Sequence, residues 1–212
     1  LSGEEQFKVH ERYYALNNKV GTMMTIAHIR HDIDTTDEFY NGEKEYYDEI
    51  QPKLANLTVE YQRGMYESPY RSYLEGKIGK VAFKNIELQL KSFDEKLIPL
   101  MQEENALTTK YDKLIASAEI EWEGEILNLS LLKPYLTSSD RNVRKRAYEK
   151  YSAYFTSVAE ELDDIYDKLV KNRTEQAKQM GYENYVELGY YRMNRNCYDK
   201  GMVENYRRQI KE

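Results

Sequence analysis

Apolar residues along the first part of the chain recur at helical spacing. Val9, Tyr13, Leu16, Val20, Met23 and Ala27 alternate steps of four and three, which places them on one stripe of a helix predicted from about Gly3 to His31. That stripe is expected to face a partner. The run His31-Asp32-Ile33-Asp34-Thr35-Thr36-Asp37 then offers short polar side chains able to accept from the free amides of a helix start, so a turn is expected here and a second helix from near Asp37. Its apolar series is Phe39 or Tyr40, Tyr46 or Tyr47, Ile50, Leu54, Leu57, Tyr61 and Met65, broken where Glu43 replaces a hydrophobe. Pro52 lacks an amide donor and clashes with the preceding turn, which predicts a kink, although the stripe keeps its register through it.

Ser68-Pro69 reads as an N-cap followed by proline at the first helical position, and so predicts a new helix starting at Pro69. Gly76 and Gly79 loosen the next stretch, yet Val81, Ile86, Leu88, Leu90 and Phe93 resume a buried pattern; two short helices or one irregular helix are expected. Pro99 fits the first turn of the next helix, whose face is Leu100, Leu107, Tyr111, Leu114 and Ile115 and which ends by about Ser117.

The period then changes from helical to two. Residues 118–129 alternate apolar and polar about Glu123-Gly124, a hairpin signal, with Ile120, Trp122, Ile126 and Leu129 expected to pack on neighbouring structure. After Pro134, Thr137-Ser138-Ser139-Asp140 supplies capping oxygens and an acid suited to the positive end of a helix. One long helix is expected to follow, in which Val143, Ala147, Tyr151, Tyr154, Val158, Leu162, Ile165 and Leu169 step by four and three, the most regular stripe in the chain. Gly181 ends that pattern as a left-handed C-cap, Tyr185 to Tyr191 forms a short amphipathic piece, and Met202, Val203, Tyr206 and Ile210 open one more helix that the sequence cuts off at Glu212. The fold class expected is all-α with one small β-hairpin near 119–130.

Composition agrees with long amphipathic helices: 32% charged residues, with only four prolines and ten glycines among 212 residues. Tyrosine is unusually frequent, at 21 residues against five phenylalanines and one tryptophan, so much of the interior must accommodate phenol hydroxyls that reach water or a partner. A net charge of −6 argues against a global attraction to nucleic acid or anionic lipid. No apolar run approaches the ~20 residues of a membrane span, and the first residues lack a signal-peptide core. The single cysteine, Cys197, excludes an internal disulfide and fits a reducing compartment, so a cytoplasmic location is expected. The sequons at Asn56, Asn128 and Asn172 are read as chance triplets, at least two of them inside helices.

Candidate chemistry is sparse. Zinc hydrolases of the HExxH class need two histidines four apart on one helix face with a glutamate between them. His10-Glu11 begins such a motif, but Tyr14 stands at the second ligand position, and His10 reads as a helix-surface residue. His28 and His31, with Asp32 and Asp34 nearby, offer metal-ligating types; a histidine pair at a helix C-terminus and aspartates capping the next helix explain the same residues more simply. Cys197 has no histidine near it in sequence and reads as a buried or half-buried thiol. Arg141, Arg144, Lys145, Arg146 and Lys150, interleaved with Tyr148 and Tyr151, could bind phosphate or nucleic acid, but Asp140 and Glu149 flank them and favour a solvated, salt-bridged face or a contact with an acidic neighbouring domain. No catalytic, cofactor-binding or metal-ligating residue is assigned.

Four stretches resemble a known family. Leu131 to Tyr148, with its Asp140-Arg141-x-x-Arg144-x-x-Ala147 core, is similar to the N-terminal region of oligoendopeptidase F, in the thimet-oligopeptidase-like clan. The hairpin at Ile120 to Leu129 and the segment Gly181 to Met193 resemble the same family in order and separation, as does His28 to Tyr40. The resemblance implies a zinc peptidase that hydrolyses internal bonds of short peptides inside a deep channel. Its HExxH helix and further glutamate ligand lie well downstream of the matched region. It implies zinc in the full-length enzyme and none in this segment, an inactive fragment that walls the channel, and packing on a downstream catalytic domain. It divides the chain into an N-terminal helical lobe (1–117), a hairpin tab (118–131), a long-helix segment (132–195) and the start of the following catalytic region (196–212). The alternative from another class is a freestanding helical protein–protein interaction domain, motivated by the two long stripes.

Overall fold

The computed structural model describes residues 1–211, which are helical apart from one two-stranded sheet and the connections between elements. Among the described residues ten α-helices follow in order: α1 (Gly3–Ile33), α2 (Glu38–Tyr66), α3 (Arg71–Ile78), α4 (Lys80–Ser92), α5 (Ile98–Ala116), α6 (Leu129–Leu136), α7 (Arg141–Ser157), α8 (Ala159–Gln179), α9 (Tyr185–Arg192) and α10 (Lys200–Lys211). A 3-10 turn at Glu95–Leu97 precedes α5, and strands β1 (Ile120–Trp122) and β2 (Glu125–Leu127) lie between α5 and α6. The chain forms two compact units: residues 1–24, 49–101 and 173–212 make the first, and residues 25–48 and 102–172 the second.

The first unit is built on Met65, Leu74, Phe83 and Ile86, with Phe7, Tyr61, Tyr66, Ile78 and Leu90 packed around them. Two short helices replace the irregular stretch after Ser68, because Gly79 takes φ of +113°, a conformation open to glycine that breaks α3 from α4. The helix expected at Pro69 begins two residues later. Ser68 Oγ does accept from a free amide, that of Tyr70 at 3.0 Å, but it also donates to Gln6 Oε1 at 2.7 Å, and Tyr70 occupies the cap position. Gly181 is left-handed at φ of +84°, as expected, and the Tyr182 hydroxyl donates to the Lys91 carbonyl at 2.7 Å.

In the second unit Ile120, Trp122, Leu127, Leu132 and Ala147 form the core, with Leu129, Tyr135, Val143, Tyr151 and Tyr154 against it. The hairpin turns in two residues, Glu123 at φ of +53° and Gly124 at φ of +93°, both left-handed as a type I′ turn requires. That turn pairs Ile120 with Leu127 and Trp122 with Glu125, and directly opposed residues share a face. Ile126, expected to be buried, therefore stands opposite Glu121 on the outer face and is 62% exposed, while Leu127 takes its place inside. A short helix that the sequence pattern does not signal, α6, follows; the Asn128 side chain caps it by accepting from the Leu131 amide at 2.9 Å. The long stripe from Val143 to Leu169 faces inward along its whole length, with Ala147 and Ile165 fully buried. A single residue, Val158, separates α7 from α8 there, and hydrogen bonds from Val158 N to Tyr154 O and from Leu162 N to Val158 O carry the ladder across it.

Two stripes depart from expectation. In α1, Tyr13, Val20 and Ala27 turn inward, but Val9, Leu16 and Met23 are 42%, 62% and 57% exposed. Residues seven apart stay close in angle on a helix, so one apolar stripe wide enough for both sets presents two adjoining faces, and the intramolecular contacts cover only one. In α2 the helix continues through Pro52, which is itself fully buried; Tyr47, Ile50, Leu54 and Tyr61 are half-buried and Met65 buried as expected, Lys44, Asp48 and Val59 also turn inward, and Leu57 lies outside.

Candidate functional site

The inward face of α2 places an ion pair inside the second unit. Lys44 Nζ donates to both oxygens of the Asp48 carboxylate at 2.7 Å and to Thr109 Oγ1 at 2.6 Å, and Thr109 Oγ1 donates to Asp48 Oδ2 at 2.5 Å. Asn105 Nδ2 adds a bond to the Asp48 carbonyl at 2.9 Å. A buried charge is tolerated only when paired and hydrogen-bonded, and here one ammonium and one carboxylate neutralise each other with a hydroxyl completing the set. The sequence signal was an i, i+4 Lys–Asp pair lying just beside the apolar stripe, which ordinarily marks a solvated face.

The histidines at the end of α1 lie near this pair electrostatically. His31 is completely buried, neither ring nitrogen has a hydrogen-bond partner among the described residues, and Nδ1 is 3.5 Å from Asp32 Oδ1. His28 also has a buried, unpartnered Nε2; burial holds its pKa below the usual imidazole value, with the Lys44 ammonium acting in the same direction. Asp112 on α5 has its pKa raised, first by burial and then by the neighbouring Asp32 carboxylate. A cavity of about 540 Å³ opens beside them, with Asp32, Asp34, Tyr111, Asp112, Asn128 and Ser130 in its wall. Asp34 and Asn128 serve local structure: Asp34 accepts from Thr36 N at 2.9 Å and Thr36 Oγ1 at 2.7 Å, and Asn128 caps α6. Among the described residues no group of three His, Cys, Asp or Glu side chains converges as metal ligands.

The remaining candidates are accounted for by packing. His10 Nδ1 lies 3.1 Å from the Tyr61 hydroxyl, and Tyr61 stacks on Tyr13 with ring centroids 4.0 Å apart. Burial lowers the His10 pKa and pushes that of Tyr61 up to about 12. The basic run on α7 is tied to the hairpin: Arg146 Nη2 is 3.0 Å from Glu123 Oε1 with its guanidinium over the Trp122 ring at 5.2 Å, and Lys150 Nζ is 2.9 Å from Glu121 Oε2. Arg144 Nη1 donates to the Ser138 carbonyl at 2.6 Å, and Lys145 lies 3.8 Å from Glu149. Of the sequon residues, Asn172 is buried and donates to Glu103 Oε2 at 2.7 Å. Cys197 is exposed.

One groove in the first unit was not foreseen. Residues of α9, α10 and their connection line a cavity of about 770 Å³, with Tyr190, Tyr191, Arg195 and Tyr198 contributing its aromatic and cationic wall. Repeated tyrosines between Tyr185 and Tyr198 were the available signal, but which of their faces share a concavity depends on the turn between the two helices. Among the described residues, no helix is long and apolar enough to cross a membrane.

Residues 1–93 match the peptidase M3 N-terminal domain, and residues 134–204 match peptidase family M3. A solved protein provisionally assigned as oligoendopeptidase F is similar at TM-score 0.94 and 42% identity over 99% of this chain and 37% of its own. Another with the same provisional assignment, from Bacillus anthracis str. Ames, gives 0.94 and 41% over 99% of this chain and 38% of its own. PZ peptidase A with an inhibitor gives 0.93 and 44% over 98% and 37%. This chain thus spans under two fifths of the length of these solved relatives. No curated protein matches the sequence. The chain belongs to peptidase family M3, and nearly all of it takes the fold seen in the oligoendopeptidase F structures.

Proposed function

We propose that this chain is the N-terminal, non-catalytic part of a zinc-dependent oligoendopeptidase, which walls the channel where short peptides are hydrolysed. The observation carrying this reading is a TM-score of 0.94 at 42% identity over 99% of this chain but only 37% of the matched protein. Most of such a protein is supplied by chain beyond the matched part. The zinc ligands and the catalytic glutamate belong, in this reading, to that remainder, on which this part packs. Support comes from apolar residues facing solvent: Leu16, Met23, Ile26, Ile29 and Ile33 on α1 and Met202, Tyr206 and Ile210 on α10 are each more than a third exposed. A reducing, cytoplasmic setting accords with the lone exposed thiol of Cys197.

The test compares two proteins on one quenched-fluorescence peptide. A chain extended over the length of the solved relatives is expected to cleave it and to lose activity when zinc is chelated, while the 212-residue chain leaves it intact. Chelator-sensitive cleavage by the 212-residue chain alone overturns the assignment of the active site to the remainder.

A further inference from the structure

The groove between α9 and α10 holds an arginine in a prepared setting. Arg195 lies with its guanidinium 4.1 Å from the centroid of the Tyr190 ring and 5.6 Å from that of Tyr198. Among the described residues it has no carboxylate within ion-pair distance; its polar side-chain contact is a long one, Nη2 to Met193 Sδ at 3.4 Å. Rings that attract a guanidinium through its face leave its N–H groups, which point outward in the plane, available to an in-plane acceptor.

The backbone fixes this placement. Helix α9 ends with Asn194 in the left-handed region at φ of +51°, a conformation that asparagine tolerates better than most residues. Asn194 N then donates to Tyr191 O at 3.0 Å and Arg195 N to Tyr190 O at 3.3 Å, closing the helix end over the aromatic ring on which Arg195 rests. The next residue is anchored independently, since Asn196 Nδ2 donates to Asn85 Oδ1 on α4 at 2.6 Å. Little side-chain or loop freedom remains to be lost when a ligand arrives.

Several other charges of the groove are engaged locally, while Arg207 adds a further cation to its wall. Glu187 accepts from the Tyr191 hydroxyl at 2.9 Å, Asp199 accepts from the Met202 amide at 2.8 Å, and Glu204 lies 3.7 Å from Lys200. With Glu183 the wall carries four carboxylates against Arg195, Lys200 and Arg207, a mixed rim in which Arg195 is the cation held against aromatic rings. A volume of about 770 Å³ admits a few residues of extended chain beside the tyrosine rings.

We propose that Arg195 is a carboxylate anchor that receives the C-terminal end of a short peptide in the groove lined by Tyr190 and Tyr198. The proposal rests on the peptidase reading above and deepens it by naming the chain end recognised.

The probe is N-acetyl-Ala-Ala-Phe, as free acid and as amide, titrated by calorimetry and amide chemical shifts into the 212-residue chain. Acetylation removes the amine, so any preference belongs to the carboxylate. The free acid is expected to bind at least roughly tenfold more tightly than the amide, the size of one charge-assisted hydrogen bond. Arg195→Gln is expected to abolish that preference, and Arg195→Lys to keep part of it as a point charge without the planar fork. Unchanged circular dichroism and Tyr182 and Tyr185 shifts would verify that both variants keep the fold. Equal binding of acid and amide, no binding of the acid, a preference surviving Arg195→Gln, or tighter binding of inorganic phosphate than of the acid would each overturn the proposal. If the extended chain hydrolyses peptides while this one shows no acid–amide difference, the peptidase reading stands and only the anchor fails.

Discussion

Lys44 and Asp48 form an ion pair at 2.7 Å on the inward face of α2, with side chains only 9% and 12% exposed. Breaking such a pair leaves one charge buried without its partner, whereas removing both charges together does not.

Lys44→Met alone and Asp48→Leu alone are therefore each expected to cost about 3–5 kcal/mol of unfolding free energy. The double variant is expected to recover much of that loss, because no isolated charge remains. Urea unfolding of the four proteins closes the cycle, and additive losses would rule out a mutually neutralising pair.

Acid should destabilise the first unit through His10, whose pKa burial holds below 6.5 in the folded chain. The folded state then binds fewer protons than the unfolded one just below that value, so this contribution is complete above about pH 6.5 and lost as pH falls through the folded pKa. His28 acts with the same sign in the second unit. Urea midpoints are expected to drop between pH 7.5 and 5.5, and His10→Asn and His28→Asn should each flatten the slope.

Asp112 has the opposite linkage. Its pKa is raised by burial and by Asp32, so its ionised form opposes folding above the ordinary aspartate value near 3.8. Asp112→Asn is expected to stabilise the chain at pH 7, and the gain should vanish at pH 3, where both proteins are uncharged at this position. Thermal melts at the two pH values decide it.

At the hairpin, Glu123→Asn creates the Asn-Gly pair that suits two left-handed residues, replacing a glutamate held at φ of +53°. The exposed contact with Arg146 that it removes is worth little. A net gain of a few tenths of a kcal/mol is expected. Gly124→Val at φ of +93° is expected to lose about 1 kcal/mol or more. Chemical denaturation of both variants checks the order.

On α1, Leu16→Ser and Met23→Ser should change the stability of this chain by no more than about 0.5 kcal/mol, since both residues are exposed. Ala27→Leu, placed where the helix is buried, is expected to cost about 1–3 kcal/mol by overpacking. Equal losses at all three positions would mean that the outer residues are covered within this chain.

Much of this protein was legible in the sequence because its signals are local. Helical spacing set the extent of α1, the inward stripe of α7 and α8 and the last helix; a period of two about Glu123-Gly124 set the hairpin; Gly181 set a helix end. Each depends on backbone preferences or on side chains a few residues apart. Family membership was legible for a related reason, since matched segments kept their order and separation along the chain. Tertiary structure decided what depends on residues distant in sequence. It turned Lys44 and Asp48 inward, because Thr109, 61 residues from Asp48, completes their hydrogen bonds. It left half of the α1 stripe exposed, because periodicity records which residues are apolar and not which neighbour covers them. It brought Arg195 onto Tyr190 through a left-handed asparagine and a bond to Asn85, a juxtaposition that no spacing in the sequence encodes.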